Sequence, residues 1–352
     1  MTRQLVWDPA PGDVRCAVLE GGDVVELHLI PLCQASPSAQ AGARLSGRLV
    51  SRLGQAQALI ALETGEEALL RPVPSVAEGA RLMVDIVRSR VPEPGRWKRA
   101  LARPAGDDAP APDRITRLLA SVDAVICASA AAADSLPSGA PNVRIDAAAV
   151  DDVDFDTLLD QARTGLIAFD GGDLSIERTR AMTVIDVDGT CAPLDLNRAA
   201  ARAIGRALRL FDITGPIGID FVSMASRADR QAVDHTLAQA CAPLGPHKRT
   251  SVNGYGFCQI IRPRTGPSLP EQVCGITPGR LSDDAIARAL LRQAAQSQGI
   301  GPRTITAQAP IIDLLRHWPE ALAQTRRIVG ADVMLVCDSA ISRYGLVHVS
   351  PA

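Results

Sequence analysis

The stretch of residues 183–222 constrains the fold of this chain more than any other. It opens with a β-branched run, Thr183-Val184-Ile185-Asp186-Val187, continues with a helical pattern through Leu210, and closes with a second apolar run at residues 216–222. A strand, a helix and a strand over about 40 residues form a βαβ unit, whose strands run parallel and whose crossover is right-handed. The sequence therefore predicts a layered α/β region here.

The two predicted strands each carry an aspartate, Asp186 on the first and Asp220 on the second. Parallel strands of one sheet bring both residues to comparable heights. If the two strands are adjacent, they lie about 4.8 Å apart, close enough for two carboxylates to share one ion. Mg²⁺ prefers hard oxygen ligands and is typically held by one or two carboxylates, waters and a substrate phosphate. Asp186 and Asp220, with Asp188 beside them, therefore form a candidate magnesium site. Such an ion would polarise a phosphodiester and lower the pKa of its attacking water.

The same aspartates also have a plain structural interpretation. A strand-end aspartate commonly caps the next helix or turn, and from the pattern alone this is the commoner outcome. Asp195 or Asn197 is predicted to cap the helix that runs through Leu210. The pattern leaves both interpretations open.

A third interpretation comes from the string Ile185-Asp-Val-Asp-Gly-Thr190, which matches the D-x-D-G-T loop of haloacid-dehalogenase-like phosphatases. In such an enzyme Asp186 would attack phosphorus and Asp188 would act as general acid and base, with Mg²⁺ beside them. That motif usually opens its domain, whereas here it lies in the middle of the chain. A downstream lysine and D-D motif are not evident, because Asp283-Asp284 begins a predicted helix. The phosphatase stays an alternative.

The chain has 352 residues, too many for one ordinary hydrophobic core, which indicates two or three modules. Alternating apolar residues at 4–32 around Gly21-Gly22-Asp23 predict a hairpin, and residues 35–42 a small-residue linker. Four short strands then predict a small β-barrel, either of the OB type or purely structural. These strands are residues 48–51, 56–62, 67–70 and 81–87.

After a proline-rich loop at residues 104–113 the pattern changes to α/β. Beyond Gly279, predicted helices at 282–297 and 311–328 alternate with three short strands. Those strands are residues 304–307, 333–337 and 345–349. This region is predicted to be a separate small α/β module.

Charge and motif content exclude several classes of protein. Lys and Arg number 37 against 39 Asp and Glu, a net charge of −2, which leaves no overall positive field for nonspecific nucleic-acid binding. Residues 198–264 nevertheless hold ten basic and four acidic side chains, a local net charge of +6, with Arg198, Arg202 and Arg206 on one helix face. Neither of the two lysines lies in a G-x-x-x-x-G-K-[ST] loop, which excludes P-loop enzymes. No run of about 18 apolar residues and no signal-peptide pattern occurs, so a cytoplasmic protein is expected.

Three stretches around the aspartates follow a known pattern in both order and spacing. They are Gly171-Gly-Asp-Leu-Ser-Ile-Glu-Arg-Thr179-Arg-Ala-Met-Thr-Val-Ile-Asp186-Val-Asp188, Asn197-Arg-Ala-Ala, and Leu208-Arg-Leu-Phe-Asp-Ile-Thr-Gly215-Pro-Ile-Gly-Ile-Asp220-Phe-Val-Ser-Met224. Together they resemble the ribonuclease E/G family. In that family the aspartates aligned with Asp186 and Asp220 hold the catalytic Mg²⁺, and an Asn usually takes the place of Asp188.

The resemblance implies an α/β architecture: an RNase H-like layer interrupted by an OB-fold β-barrel, then a DNase I-like α/β part and a small C-terminal α/β module. Residues 1–35 and 111–170 would form the RNase H-like subdomain, and residues 40–103 the OB-fold RNA-binding domain. Residues 171–265 would form the DNase I-like catalytic subdomain, and residues 280–352 the small domain.

The chain also departs from the family pattern. The five-prime-end sensor expected after the barrel is missing, because residues 104–113 lead directly into the α/β layer. The zinc link is reduced to Cys274-Gly275, so a homodimer, if formed, would lack a zinc link. Ile60 and Leu69 stand where base-stacking aromatics are expected, which removes stacking worth about 1–3 kcal/mol per base.

The sequence thus predicts a truncated ribonuclease E/G-like, Mg²⁺-dependent endoribonuclease that hydrolyses single-stranded RNA and does not associate with membranes. Asp186 and Asp220 are the predicted metal ligands, and Asp188 is the third catalytic residue. The predicted contacts to the RNA backbone are Lys98, Lys248, Arg249 and Arg262. A non-catalytic RNA-binding relative is the main alternative, favoured by the lost aromatics and sensor.

Overall fold

The computed structural model describes residues 2–33 and 39–351. Its first three strands form an antiparallel meander: β1 (Arg3–Ala10), β2 (Asp13–Glu20) and β3 (Asp23–Pro31). The predicted hairpin at Gly21-Gly22 is present, and a second one precedes it at Gly12, whose φ of +96° suits glycine. Residues 35–38 of the predicted linker, and with them the first predicted domain boundary, lie outside the described residues.

A closed five-stranded barrel follows. Its five strands are β4 (Arg44–Arg52), β5 (Ala58–Leu62), β6 (Glu67–Leu70), β7 (Arg81–Arg88) and β10 (Ala100–Pro104). Between β7 and β10, strands β8 (Val91–Glu93) and β9 (Arg96–Lys98) form a separate two-stranded hairpin. The strands close in the order β10-β6-β5-β4-β7, which confirms the predicted barrel. The expectation that Ile60 stands at a base-contacting position is wrong, because its side chain is buried in the barrel core. Leu69, on the alternate face of its strand, is half-buried.

The chain then enters an α/β segment. Its elements are α1 (Arg114–Ala120), β11 (Ala124–Cys127), α2 (Ala130–Asp134), β12 (Val143–Ile145), α3 (Ala147–Asp151) and α4 (Phe155–Thr164). Strand β11 pairs in parallel with β1, so the first sheet has the order β12-β11-β1-β2-β3. The barrel is therefore inserted between two strands of one sheet. Residues 105–113, which lead from the barrel to α1, contain no helix or strand.

A second sheet and its helices occupy the centre of the chain. The elements are β13 (Leu166–Phe169), β14 (Gly172–Arg178), β15 (Thr183–Gly189), α5 (Pro193–Leu210), β16 (Gly215–Asp220), α6 (Arg227–Cys241), a 3-10 turn (Ala242–Leu244), β17 (Lys248–Arg249), β18 (Phe257–Arg262) and α7 (Leu269–Cys274). The strand order is β13-β14-β15-β16-β18-β17. The sheet begins at Leu166, before the predicted start at Gly171, because β13 pairs with β14.

The βαβ unit is present as predicted, with β15 and β16 adjacent and parallel. Helix α5 begins at Pro193, a residue suited to the first helical position because the amide it lacks would be unpaired there. The prediction that Asp195 or Asn197 caps this helix is wrong, since both lie inside it. Ile185 and Ile219, buried on one face of the sheet, share a hydrophobic core with α5, α6 and the first sheet. Alternate residues of the same strands face away from that core.

The last segment forms a small α/β module. Its elements are α8 (Asp283–Gln296), β19 (Arg303–Ala307), α9 (Ala309–Arg316), α10 (Pro319–Val329), β20 (Val333–Cys337) and β21 (Leu346–Val349), with strand order β20-β19-β21. The single helix predicted at 311–328 is wrong. Pro319 divides it into α9 and α10, because proline disfavours helical backbone at the preceding residue, Trp318. Among the described residues, no helix has the length and apolar character needed to cross a membrane.

Candidate functional site

Asp186 and Asp220 lie directly opposite each other on the adjacent parallel strands β15 and β16. Residues opposite each other in a sheet point to the same face, and both side chains are exposed on the face away from α5 and α6. Asp188 follows two residues along β15 and faces the same way. The structure therefore brings the three predicted catalytic residues together on one open surface.

Further acidic residues extend this surface onto the neighbouring strand. Asp173 on β14 is the register partner of Asp188, and Ser175 that of Asp186. Glu177 follows on the same side of β14 and is exposed. We call the surface formed by Asp173, Glu177, Asp186, Asp188 and Asp220 the acidic face. Five carboxylates on one side of a sheet favour the binding of cations there.

The carboxylates of Asp186 and Asp220 are free for a ligand. Neither makes a hydrogen bond or ion pair with another described residue. Asp188 differs, because its Oδ1 accepts a hydrogen bond from the backbone N–H of Gly189 at 2.7 Å. Two unpaired carboxylates and one that is partly engaged are consistent with two metal ligands and a supporting third residue.

The donor set fits Mg²⁺ better than a softer metal. Within residues 2–33 and 39–351 no group of three or more His, Cys, Asp or Glu side chains is arranged to enclose a metal ion. Mg²⁺ does not require such a cage, since it keeps several waters and is often held by one or two carboxylates. Asp186 and Asp220 would supply two oxygen ligands, and the remaining positions would be left to water and substrate.

A buried amide fixes the backbone just beyond Asp220. Asn197 on α5 is fully buried; its Nδ2 donates to the carbonyl of Val222 at 2.7 Å, and its Oδ1 accepts the Val222 N–H at 3.1 Å. The strand end that carries Asp220 is thereby held to the helix that follows β15. Sequence reasoning missed this role, because an Asn near the start of a helical pattern is most simply interpreted as a cap.

Two of the four predicted RNA contacts have exposed amino groups. Lys98 on β9 is half-exposed and pairs with Glu93, 2.8 Å away. Its hairpin contacts the β14–β15 turn, where Arg180 Nε donates to the carbonyl of Pro94 at 3.1 Å. Lys248 is exposed on β17 and lies opposite Ile261, at the far end of β18 from the partner of Asp220.

The other two predicted contacts are engaged inside the protein. Arg249 holds Asp234 through both terminal nitrogens, at 2.5 and 3.1 Å. Arg262 Nη1 donates to the carbonyls of Leu208 and Ile213, at 2.9 and 2.5 Å. Burial lowers the pKa of the Arg262 guanidinium from its usual value. Arg249 and Arg262 thus form hydrogen bonds within the protein and do not lie on the acidic face.

The basic stripe of α5 lies behind the sheet. Arg198, Arg202 and Arg206 are exposed as expected, but α5 packs on the face opposite the aspartates. Arg209 instead pairs with Glu20 and Glu26 of the first sheet. The basic residues of α5 therefore do not lie beside the aspartates.

The comparisons with known proteins concern the middle of the chain. Residues 146–265 match the sequence model of the ribonuclease E/G family. Ribonuclease G of Escherichia coli strain K12 is 35% identical over 122 residues, which are 31% of this chain and 24% of that protein. The chloroplastic ribonuclease E/G-like protein of Arabidopsis thaliana is 35% identical over 111 residues, 28% of this chain and 11% of that protein.

Ribonuclease E of Haemophilus influenzae is 26% identical over a longer stretch of 191 residues, 49% of this chain and 20% of that protein. The chain thus spans about a quarter or less of the length of the relatives it matches. The resemblance to the ribonuclease E/G family is confirmed for the segment that contains Asp186, Asp188 and Asp220.

Proposed function

We propose that this protein is a Mg²⁺-dependent endoribonuclease that hydrolyses single-stranded RNA on the acidic face. The observation that carries the proposal is the in-register pair of Asp186 and Asp220, whose carboxylates share one open surface and have no partner in the described chain. That pair lies within the segment that matches the ribonuclease E/G family.

Each aspartate has a distinct role in this proposal. Asp186 and Asp220 hold the cation, and Asp188 supports them while one of its oxygens stays bonded to Gly189. When bound, the ion would polarise the phosphodiester and lower the pKa of the attacking water. Without the cation the acidic face would repel an RNA backbone, so the carboxylates also make RNA binding depend on Mg²⁺.

The surrounding folds fit the same assignment. We assign residues 1–35 and 111–170 to an RNase H-like subdomain, residues 40–103 to an OB-fold, residues 171–265 to a DNase I-like catalytic subdomain and residues 280–352 to the small domain. The insertion of the closed barrel into the first sheet supports the first two assignments. Family resemblance over residues 146–265 supports the third.

The RNA would reach the acidic face from the barrel. Hairpin β8–β9 carries Lys98 and the half-exposed Trp97, and it touches the β14–β15 turn through Arg180 and Pro94. Lys98 would contact phosphate groups on this approach, and Lys248 would do so at the distant edge of the sheet. Arg249 and Arg262, engaged with protein groups, would act by stabilising the sheet.

The test is cleavage of a fluorescent single-stranded RNA by the full chain in Mg²⁺, beside an EDTA control. The double variant Asp186→Asn/Asp220→Asn is expected to abolish cleavage and keep the fold. Asp195→Asn, an exposed aspartate on α5 in the same βαβ unit, is the matched control and should cleave normally. Cleavage that survives in the double variant would refute the proposal.

The same experiment separates the alternatives. RNA binding without cleavage at any Mg²⁺ concentration would favour a non-catalytic RNA-binding relative. Turnover of small phosphomonoesters would favour the phosphatase, for which the structure gives little support. A phosphatase would need a lysine beside Asp186 and Asp188, and neither Lys98 nor Lys248 is adjacent to them in the sheet.

A further inference from the structure

The turn before β18 is closed by hydrogen bonds to Asn253 and presents Tyr255 to solvent. Asn253 Oδ1 accepts hydrogen bonds from the backbone N–H groups of Tyr255, at 2.8 Å, and Phe257, at 3.1 Å. Gly256 N–H donates to the Asn253 carbonyl at 3.2 Å. Gly256 has φ of +89°, and a Cβ at this position would collide with the carbonyl of Phe221. Position 256 therefore requires glycine.

Tyr255 stands at the tip of this turn and is 84% exposed, whereas Trp97 and Tyr344 are each 50% exposed. Its hydroxyl has no hydrogen-bond partner among residues 2–33 and 39–351. The flanking residue Gly254 has no side chain, and space around it is open. The aromatic ring is thus presented to solvent without serving the hydrophobic core.

The turn is attached directly to the strand end that carries Asp220. Phe257 is the register partner of Asp220, and Phe221 N–H donates to the Gly256 carbonyl at 3.1 Å. Tyr255 is two residues from Phe257, a span of at most about 7 Å, and antiparallel partners lie about 5 Å apart. The Tyr255 backbone therefore lies within about 12 Å of that of Asp220.

We propose that Tyr255 is a stacking platform for a nucleobase of single-stranded RNA next to the phosphate held at Asp186 and Asp220. This inference rests on the proposed function and adds a base subsite to it. Aromatic rings on a rigid support bind bases of any sequence, because every base has a stacking face. A tyrosine held by its backbone also loses little conformational freedom on binding, which favours it over a ring on a mobile loop.

The barrel surface lacks an aromatic ring at Leu69 that could stack on a base, and only 3% of the chain is aromatic. Phe257, the register partner of Asp220, is half-buried, whereas Tyr255, two residues away on the adjoining turn, is exposed. Base stacking would then occur beside the cleavage site and not on the barrel surface.

The sequence makes a direct test practical, because the chain has two tyrosines, Tyr255 and Tyr344. Labelling with 3-fluorotyrosine gives two fluorine resonances, which the variant Tyr255→Phe assigns. Titration with a short single-stranded RNA, in the uncleaving Asp186→Asn/Asp220→Asn background, should shift the Tyr255 resonance and leave that of Tyr344 in place. An RNA with an abasic position should restore the free resonance of Tyr255 when that position faces the ring.

A second test measures the RNA affinity of tyrosine variants. Tyr255→Ala should weaken RNA binding about tenfold, while Tyr255→Phe and the control Tyr344→Ala keep the parent affinity. An unmoved Tyr255 resonance at saturating RNA, or unchanged affinity in Tyr255→Ala, would overturn the inference, as would failure of the RNA to bind the unsubstituted chain in Mg²⁺. RNA that shifts Tyr255 in the variant but is never cleaved by the unsubstituted chain would support the subsite and refute the nuclease.

Discussion

The side-chain amide of Asn197 forms two hydrogen bonds with the backbone of Val222, at 2.7 and 3.1 Å, and these join α5 to the strand end beyond Asp220. A helix laid along the back of the sheet thus fixes the height of a carboxylate on its front. This contact therefore helps to set the position of Asp220 in the proposed metal site.

Replacement of Asn197 by Ala should therefore affect both stability and metal dependence. Loss of two hydrogen bonds, with polar groups of Val222 left unpaired, should destabilise the fold by about 2–3 kcal/mol. Urea unfolding measures this loss. The Mg²⁺ concentration for half-maximal RNA cleavage should rise several-fold, because Asp220 is less well placed. The exposed neighbour Arg198→Ala is the control, and equal Mg²⁺ dependence in both variants would argue against this role.

Mg²⁺ should stabilise the protein through the paired carboxylates. At a Mg²⁺ concentration tenfold above the dissociation constant the gain is about 1.4 kcal/mol, visible as a rise in Tm. In Asp186→Asn the rise should vanish. Without Mg²⁺ this variant should be as stable as the parent or slightly more so, by about 0.2–1 kcal/mol, since like charges on adjacent strands repel. If Mg²⁺ raised the Tm of Asp186→Asn as much as that of the parent, the ion would bind at another site.

Glu26 should make the fold sensitive to acid. Burial raises the pKa of its carboxyl, but the nearby His28 ring, the charge of Arg3 and hydrogen bonds from Arg209 outweigh burial and lower the pKa to about 2. A lowered carboxyl pKa stabilises the fold at pH values above the ordinary value near 4.5. That contribution, about 3 kcal/mol by linkage, is lost as the pH falls from about 4.5 towards 2.

Urea unfolding between pH 5 and pH 3 measures the slope that Glu26 contributes. Glu26→Gln should be less stable at neutral pH and show a flatter decline on acidification. An unchanged slope in Glu26→Gln would assign the acid sensitivity to other carboxylates.

Replacing Arg262 should affect the stability of the fold, whereas replacing Lys248 should affect RNA binding. Arg262→Ala removes hydrogen bonds to the carbonyls of Leu208, Ile213 and Leu244 and should destabilise the fold by about 2–4 kcal/mol. Lysine cannot form the same fork of bonds, so Arg262→Lys should give little rescue. Lys248→Ala, on the exposed edge, should leave Tm unchanged and reduce the salt dependence of RNA binding by about one phosphate contact. The reverse pattern would restore Arg262 as an RNA contact.

The sequence predicts the strand-helix-strand unit and its pair of aspartates well, because both follow from short-range periodicity. Alternation within β15 and β16 fixes which side chains face the core, and parallel pairing then places Asp186 level with Asp220. The barrel follows for the same reason, from closely spaced short strands.

Features that depend on distant parts of the chain are not visible in this way. Arg262 lies in a basic stretch that resembles an RNA contact, and only the fold shows that carbonyls of Leu208 and Ile213 surround its guanidinium. Tyr255 is a single aromatic residue between glycines, and only the pairing of Phe257 with Asp220 shows that its turn adjoins the strand end of Asp220. When contacts with distant parts of the chain decide whether a polar side chain is buried or exposed, the sequence shows no periodic pattern that predicts it.

The insertion of the barrel into the first sheet also has a consequence for the nascent chain. Gln4 on β1 pairs with Ala124 on β11, so synthesis at about 5–20 residues per second leaves β1 without that neighbour for roughly 6–24 s. During this interval the barrel can close on itself, whereas β1 presents an open strand edge to other chains. During translation β1 is therefore open to pairing with other chains until β11 leaves the ribosome and pairs with it.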